Sequence, residues 1–149
     1  MIRKMRSEDK KTYMEMARDF YHSDAVLHPV PDTYFERTAD EALRSDVYAE
    51  IFLFECENEA AGYGLIAKTY SQEAGGMVWW IEEVYVREAF RSKGIGREFF
   101  AYLDKVKGSA VTRMRLEVEE DNTRAVALYK KLGYKPLEYA QMIKDAPLK

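Results

Sequence analysis

A glycine-rich segment with basic side chains has the residue types that bind a phosphate group. Residues 91–96 read Arg-Ser-Lys-Gly-Ile-Gly, and Arg97 follows them directly. Glycine lets backbone N–H groups approach a ligand closely, and the N-terminus of a following helix adds unpaired donors and a partial positive charge. A dinucleotide-binding fingerprint fits less well, because Phe99 occupies the position of its third glycine. A P-loop also fits less well, because its lysine follows a glycine, whereas Lys93 precedes Gly94. The segment predicts an anion site that suits a pyrophosphate; a helix start with a solvated basic collar is the alternative interpretation.

Two adjacent glutamates, Glu82 and Glu83, interrupt an otherwise apolar run at residues 78–86. In a regular strand neighbouring side chains point to opposite faces, which places Glu83 with Trp79 and Ile81 and leaves Glu82 on the other face. A carboxylate in an apolar row of a central strand is desolvated, and desolvation raises its pKa toward the range of a general base. For either residue, a solvent-facing position or a structural ion pair with an arginine is the alternative.

The hydrophobic pattern predicts the elements that would position these groups. Helical spacing begins after Ser7, returns over residues 35–43 and 125–132, and is clearest over residues 95–106, just before Gly108. Strand-like runs are expected at residues 2–6, 51–56, 63–67, 78–86 and 113–119, with two short ones at residues 134–137 and 139–143. This order of helices and strands predicts a mixed α/β fold.

The composition limits the classes to which the chain can belong. A length of 149 residues with 47% hydrophobic residues favours one globular domain, residues 1–149. The net charge of −3 argues against a nucleic-acid-binding protein. A single cysteine, Cys56, and two histidines argue against a disulfide framework and a soft-metal site, and they favour a cytoplasmic protein. No apolar run is long enough to span a membrane, and the charged N-terminal residues do not resemble a signal peptide.

Two motifs in the second half of the chain resemble those of the GNAT family of N-acetyltransferases. The first is the Arg-x-x-Gly-x-Gly pattern of residues 91–96, which in the family lies between the fourth strand and the third helix and binds acetyl-CoA. The second is residues 122–134, Asn-Thr-Arg-Ala-Val-Ala-Leu-Tyr-Lys-Lys-Leu-Gly-Tyr, similar to Asn-x-x-Ala-x-x-Leu/Phe-Tyr-x-x-x-Gly-Phe/Tyr. The resemblance implies a single GNAT domain, a mixed sheet of about six to seven strands with about four helices, splayed between the fourth and fifth strands.

The resemblance also implies acetyl-CoA as co-substrate, with no metal. Residues 91–96 are called the glycine loop below. Main-chain groups of the strand before this loop would pair with pantetheine, and backbone N–H groups of the loop would bind the pyrophosphate. The second motif would contribute its asparagine, and one of its lysines would reach the ribose phosphate. In chain order, the residues expected to bind the cofactor are Val84, Tyr85, Val86, Arg91, Ser92, Lys93, Gly94, Ile95, Gly96, Arg97, Asn122, Ala125, Tyr129 and Lys131.

The family resemblance further implies direct attack of a neutral amine on the thioester, within a ternary complex. A base must take the proton of the amine, and an acid must protonate the departing thiolate. Tyr129 of the second motif is the expected acid, with plain packing on its helix as the alternative. Residues 81–86 resemble the diamine and polyamine acetyltransferases, in which the first carboxylate is the proposed base, so Glu82 ranks above Glu83.

The acceptor is expected to be a small-molecule amine that carries positive charge. Acidic side chains gather in sequence near the expected site and would attract a cation; they are Glu82, Glu83, Glu117, Glu119, Glu120 and Asp121. A polyamine, an aminoglycoside, a lysine-like amino acid or a basic peptide N-terminus would each fit, and an ordinary acidic surface is the alternative. In the family, the helical region that holds Tyr21, His22, Tyr34 and Phe35 shapes the acceptor pocket.

Three other functions remain open from the sequence. The same fold could acetylate a protein N-terminus or a lysine, or it could bind acyl-CoA without turnover, although Tyr129 and the glutamate pair count against the latter. An unrelated nucleotide-binding α/β domain would bind ATP or NAD more tightly than CoA. No nucleic-acid or membrane partner is expected, and a homodimer is an expectation at the level of the family.

Overall fold

The computed structural model describes residues 1–147, which divide into two compact units, Met1–Glu117 and the described part of Val118–Lys149. Assignment of the whole chain to one domain stays a prediction. The first unit contains β1 (Ile2–Lys4), α1 (Lys10–Tyr21), α2 (Asp32–Arg44), β2 (Ala49–Cys56), β3 (Glu59–Ser71), β4 (Gly76–Val86), α3 (Ile95–Val106) and β5 (Val111–Leu116). The second unit contains α4 (Thr123–Lys131).

A mixed sheet forms the middle of the first unit, with its strands in the order β1-β2-β3-β4-β5. Strands β1 to β4 are antiparallel neighbours, whereas β5 runs parallel to β4. Two parallel neighbours need a crossover connection, and α3 provides it between β4 and β5. The predicted α/β fold class is therefore confirmed.

The sheet has five strands within the described residues, fewer than the six to seven expected. Residues 134–137 and 139–143, which the sequence pattern predicts as strands, contain neither strand nor helix. An extended segment becomes a strand only when its backbone groups pair with a neighbour, and Pro136 has no N–H to offer such a ladder. Met142 is 95% exposed and Ile143 is 85% exposed. Their apolar character therefore does not mark residues that pack into a core.

Helices cover both faces of the sheet. Side chains of β2 point alternately to the two faces, and both sets are apolar, so each face needs a covering layer. On one face, α1 and α2 pack on the strands through Tyr13, Met16, Ala17, Phe35, Ala39, Ile51, Leu53, Tyr63 and Leu65. On the other face, the ring of Phe99 from α3 lies 5.7 Å from that of Phe52 and 4.9 Å from that of Phe54, between centroids. The two layers hold β3 and β4 between them.

Gly62 on β3 allows the backbones of β3 and β4 to approach closely. A Cβ atom placed on Gly62 would lie 2.1 Å from the backbone carbonyl oxygen of Tyr85. We expect Gly62→Ala to lower the free energy of unfolding by roughly 1–3 kcal/mol, because the strands must separate to admit the methyl group. Urea unfolding measures this, with Gly96→Ala as the matched control, since a Cβ there would meet no atom within 4 Å. Equal stability of the two variants would contradict the predicted clash.

Candidate active site

The second half of β4 has a partner strand on only one edge within the described residues. β5 pairs with β4 only as far as Ile81 and ends at Leu116. β4 continues to Val86, and on its other edge β3 pairs with it up to Val86 opposite Gly62. The sheet is thus open on this side of β4 beyond Ile81, whereas the expected splay between the fourth and fifth strands stays a prediction. Backbone groups of residues 82–86 on the β5 side of the strand face no β5 residue, which suits pairing with an extended ligand.

The glycine loop joins β4 to α3 through backbone conformations that L residues rarely adopt. Ser92 has a φ of 65° and Gly94 a φ of 78°. Gly94 is the residue before α3 and offers no side-chain cap, so the first N–H groups of the helix stay unpaired within it. Gly96 borders open space, whereas the side chain of Ile95 is buried. The donors and the space together fit a pyrophosphate.

The basic side chains of the loop differ in what they contact. Nε of Arg91 donates a hydrogen bond of 2.8 Å to the carbonyl oxygen of Val86, which fastens the loop to the end of β4. Nζ of Lys93 lies 3.8 Å from a carboxylate oxygen of Glu57, an exposed and therefore weak ion pair. Arg97 is exposed on the first turn of α3. Positive charge thus surrounds the loop, and Arg91 also holds it in place.

A β-bulge at the two glutamates of β4 breaks the regular alternation of side chains along the strand. Leu65 of β3 lies opposite Glu83, and the next residue, Ile66, lies opposite Ile81, so Glu82 is the extra residue. Leu65 and Ile66 point to opposite faces of β3. Glu83 therefore lies on the face opposite to that of Ile81, and the predicted common face of these two residues is wrong. A bulge of this kind inserts one residue and re-aims the side chains around it.

Two tyrosine hydroxyls hold the carboxylate of Glu83. Tyr21, the last residue of α1, donates to Oε2 at 2.6 Å, and Tyr63 on β3 donates to Oε1 at 2.6 Å. Burial raises the pKa of the Glu83 carboxyl, and the two hydrogen bonds oppose that rise because they stabilise the charged form. The same burial, together with the Glu83 charge, raises the pKa of both tyrosines, which stay protonated donors. The partners of Glu83 are thus hydroxyls and not an arginine.

Glu82 differs from its neighbour in exposure and in surroundings. Its side chain is exposed. Even so, partial desolvation by the surrounding protein raises the pKa of the Glu82 carboxyl, and the negative charges of Glu83 and Glu117 raise it further. A carboxylate that is accessible and has a raised pKa combines the two properties that a general base needs.

Aromatic rings surround the Glu83 carboxylate on the face of α1 and α2. Phe20 lies 5.6 Å from Tyr21, 6.4 Å from Tyr63 and 5.9 Å from Tyr85, measured between ring centroids. Tyr21 also packs against Phe35 of α2 at 5.0 Å. Tyr63 is fully buried and was not singled out by the sequence motifs. A tyrosine in the buried row of a strand needs a partner for its hydroxyl, and that need is the signal that could have found it.

Other residues expected near the acceptor include His22, Tyr34 and residues 119–121. His22 follows α1 and is exposed. The guanidinium of Arg37 lies 5.0 Å from the centroid of the Tyr34 ring, so this ring packs against a cation on the same helix. Residues 119–121 are exposed in the second unit. Within the described part of the chain, the hydrogen bonds to the Glu83 carboxylate come from Tyr21 and Tyr63 and not from His22 or Tyr34.

The second motif forms a capped helix in the second unit. The side-chain oxygen of Asn122 accepts a hydrogen bond of 3.2 Å from the backbone N–H of Ala125, as an N-cap residue does. Tyr129 packs edge-on against Tyr134, with ring centroids 6.1 Å apart. Burial raises the pKa of the Tyr129 phenol, so it is protonated at neutral pH and able to donate. Lys131 is exposed at the end of the helix.

Neither a metal cluster nor a membrane helix is found in residues 1–147. No group of three or more His, Cys, Asp or Glu side chains there could hold a metal ion. No helix in that range is long and apolar enough to cross a bilayer.

Comparison with known proteins supports the resemblance seen in the sequence. A thialysine N-epsilon-acetyltransferase of Mus musculus is 31% identical over 150 residues, which cover 91% of this chain and 84% of that protein. A "possible acetyltransferase" from Clostridium difficile 630 has a TM-score of 0.84 at 20% identity, over 99% of this chain and 98% of that chain. The aminoglycoside N-acetyltransferase AAC(6')-Iy in complex with CoA has a TM-score of 0.78 at 17% identity, over 97% of this chain and 93% of that chain.

The sequence profile of the acetyltransferase (GNAT) family matches residues 10–134, which include the glycine loop and all of α4. That range is most of the 149-residue chain. The chain therefore belongs to the acetyltransferase (GNAT) family, as its two motifs predicted, and its activity is acetyl-CoA-dependent N-acetyl transfer.

Proposed function

We propose that this protein transfers the acetyl group of acetyl-CoA to a primary amine of a small cationic acceptor, by direct attack in a ternary complex. The observation that carries the proposal is the second half of β4, which has β3 on one edge and no β5 residue on the other. It presents an accessible carboxylate, Glu82, on the same short segment that leads into the glycine loop. A thioester laid along this segment would have a proton acceptor beside it and an anion site at its end.

Acetyl-CoA would bind mainly through the backbone. The free edge of β4 at Val84, Tyr85 and Val86 would pair with the amide groups of pantetheine, much as another strand would. The N–H groups at Gly94, Ile95, Gly96 and Arg97 would hold the pyrophosphate, with Ser92 and Lys93 beside it. Arg91 would keep the loop against β4 through its bond to the Val86 carbonyl. Asn122, Ala125 and Lys131 are proposed as further contacts from the second motif.

Glu82 is the proposed base, directly or through a water molecule. Both oxygens of Glu83 already accept hydrogen bonds from tyrosines, whereas no hydrogen bond between described residues involves the Glu82 carboxylate. An amine can attack only when it is neutral, so a base must remove a proton from the cationic form or from the attacking nitrogen. A raised pKa lets Glu82 hold that proton better than an ordinary glutamate would.

Tyr129 is the proposed acid that protonates the thiolate of CoA. Its phenol is protonated at neutral pH because burial raises its pKa. A donor of this kind stabilises the negative charge that develops on sulfur as the tetrahedral intermediate collapses.

A cationic acceptor is proposed from charge and from the aromatic surroundings of the site. The negative charges of Glu83 and Glu117 act on Glu82, and the hydroxyls of Tyr21 and Tyr63 contact Glu83. Negative charge beside aromatic faces favours an ammonium group. Similar proteins named for thialysine and for aminoglycosides agree with an amine acceptor of this class.

A panel of amines tests the proposal. Purified protein with acetyl-CoA is offered thialysine, lysine, spermidine, an aminoglycoside and a basic peptide with a free N-terminus, and release of free thiol is followed. We expect release with one or more of the small cationic amines. The matched control is Gly96→Glu, which the open space at Gly96 accommodates but which puts a carboxylate into the anion site, so release should fall to background.

The outcomes of the panel separate the alternatives. Release with the peptide alone would support a protein N-terminal or lysine acetyltransferase. Binding of acetyl-CoA without release for any amine would support a non-catalytic acyl-CoA-binding module. Equal release by wild type and Gly96→Glu would overturn the proposed position of the pyrophosphate.

A further inference from the structure

The carboxylate of Glu83 is held in a way that the transfer reaction does not by itself require. Each of its oxygens accepts one hydrogen bond of 2.6 Å, from Tyr21 at the end of α1 and from Tyr63 in the middle of β3. Within the described residues, the salt bridges include neither Glu82 nor Glu83, so no cation cancels this charge. Two neutral donors stabilise a carboxylate without neutralising it.

The β-bulge brings this charge next to the proposed base. Glu82 is the inserted residue, and Glu83 follows it directly in the chain. In regular alternation the two side chains would project from opposite faces of the strand, whereas a bulge re-aims them. The negative charge of Glu83 acts on Glu82 and makes it harder for that carboxyl to lose its proton.

We propose that Glu83 is a positioning residue: its ionised carboxylate, fixed by Tyr21 and Tyr63, strengthens the neighbouring Glu82 as a proton acceptor. This rests on the proposed function, in which Glu82 is the base. The order of ionisation follows from the hydrogen bonds. Glu83, with two donors, loses its proton first, and Glu82 then titrates beside a charged neighbour.

Among the described residues, three tyrosines and one further carboxylate act on the pair. Tyr13 and Tyr21 from α1 and Tyr63 from β3 surround Glu83, and all three have raised pKa values and stay neutral. Glu117, just beyond the end of β5, is the other charge that acts on Glu82. Because Glu83 is the next residue in the chain, its effect on Glu82 should exceed that of Glu117.

Carboxyl titration by NMR tests the inference without any need for turnover. The protein is labelled with ¹³C at the glutamate side-chain carboxyl, and the resonance that disappears in Glu82→Gln is assigned to Glu82. In Glu83→Gln, which keeps the shape of the side chain, we expect the Glu82 midpoint to move to lower pH. Glu117→Gln should give a smaller shift in the same direction, and Glu15→Gln, on the exposed face of α1, should give none.

A second variant tests the role of the hydroxyl donors. Tyr21→Phe removes one hydrogen bond from Glu83, so the Glu83 resonance should titrate at higher pH than in wild type. An unchanged Glu82 midpoint in a folded Glu83→Gln protein would overturn the inference. If the midpoint moves but Glu82→Gln keeps full activity, the coupling stands and the proposed role of Glu82 as base falls instead, so the two failures are distinguishable.

Discussion

Replacing Tyr129 by phenylalanine is expected to lower kcat by about 10²- to 10⁴-fold, the range that loss of a general acid or base usually gives. The change removes one hydroxyl and keeps the ring, so the edge-on contact with Tyr134 survives. Without a donor, CoA must leave as an unprotonated thiolate. Steady-state kinetics with the best amine of the panel would measure the effect.

The affinity for acetyl-CoA separates an acid from a packing residue. We expect Tyr129→Phe to bind acetyl-CoA as wild type does, because the lost hydroxyl would act on sulfur only as the thioester breaks. Tyr70→Phe is the matched control, since Tyr70 is 69% exposed at the far end of β3 and should keep full activity. Unchanged kcat in Tyr129→Phe would remove the acid role, and a loss of affinity equal to the loss of kcat would make Tyr129 a binding residue.

The parts of this molecule that the sequence predicts well are those whose determinants are local. The glycine loop depends on residues 91–96 and the helix that follows them, and its left-handed backbone at Gly94 is one that glycine adopts freely. The cap of α4 likewise depends on Asn122 and the third residue after it. In both places, chemistry and geometry are encoded within a few positions, so a motif is enough to find them.

The register of β4 depends on a neighbour and could not be predicted from its own residues. Alternation from Trp79 to Tyr85 is regular in the sequence, but pairing with β3 inserts Glu82 as a bulge. Only that pairing brings Tyr63 opposite Tyr85 and next to Glu83. The two short strands expected after α4 are absent from the described residues for a related reason. An alternating apolar segment forms a strand only where its backbone pairs with the edge of another strand.

Loss of the proposed base is expected to give the second large effect, a fall in kcat/KM. Glu82→Gln is expected to lower kcat/KM by about 10²-fold or more at neutral pH, because the amide cannot accept the amine proton. In wild type, kcat/KM should rise with pH through the raised pKa of Glu82, since only the ionised form is a base. In the variant that rise should flatten, and what remains should follow the ionisation of the free amine. A pH profile of kcat/KM for both proteins provides the measurement.

Glu83→Gln separates the two carboxylates in the same experiment. If Glu82 is the base, the variant keeps the rise of kcat/KM with pH but moves it to lower pH, because Glu82 has lost the negative charge beside it. If instead Glu83→Gln abolishes the rise and Glu82→Gln leaves it intact, Glu83 is the base despite its two tyrosine donors. In that case Glu83 would accept the proton at a lone pair that neither tyrosine uses, since each of its oxygens accepts only one hydrogen bond. The direction in which the profile changes therefore assigns the proton acceptor.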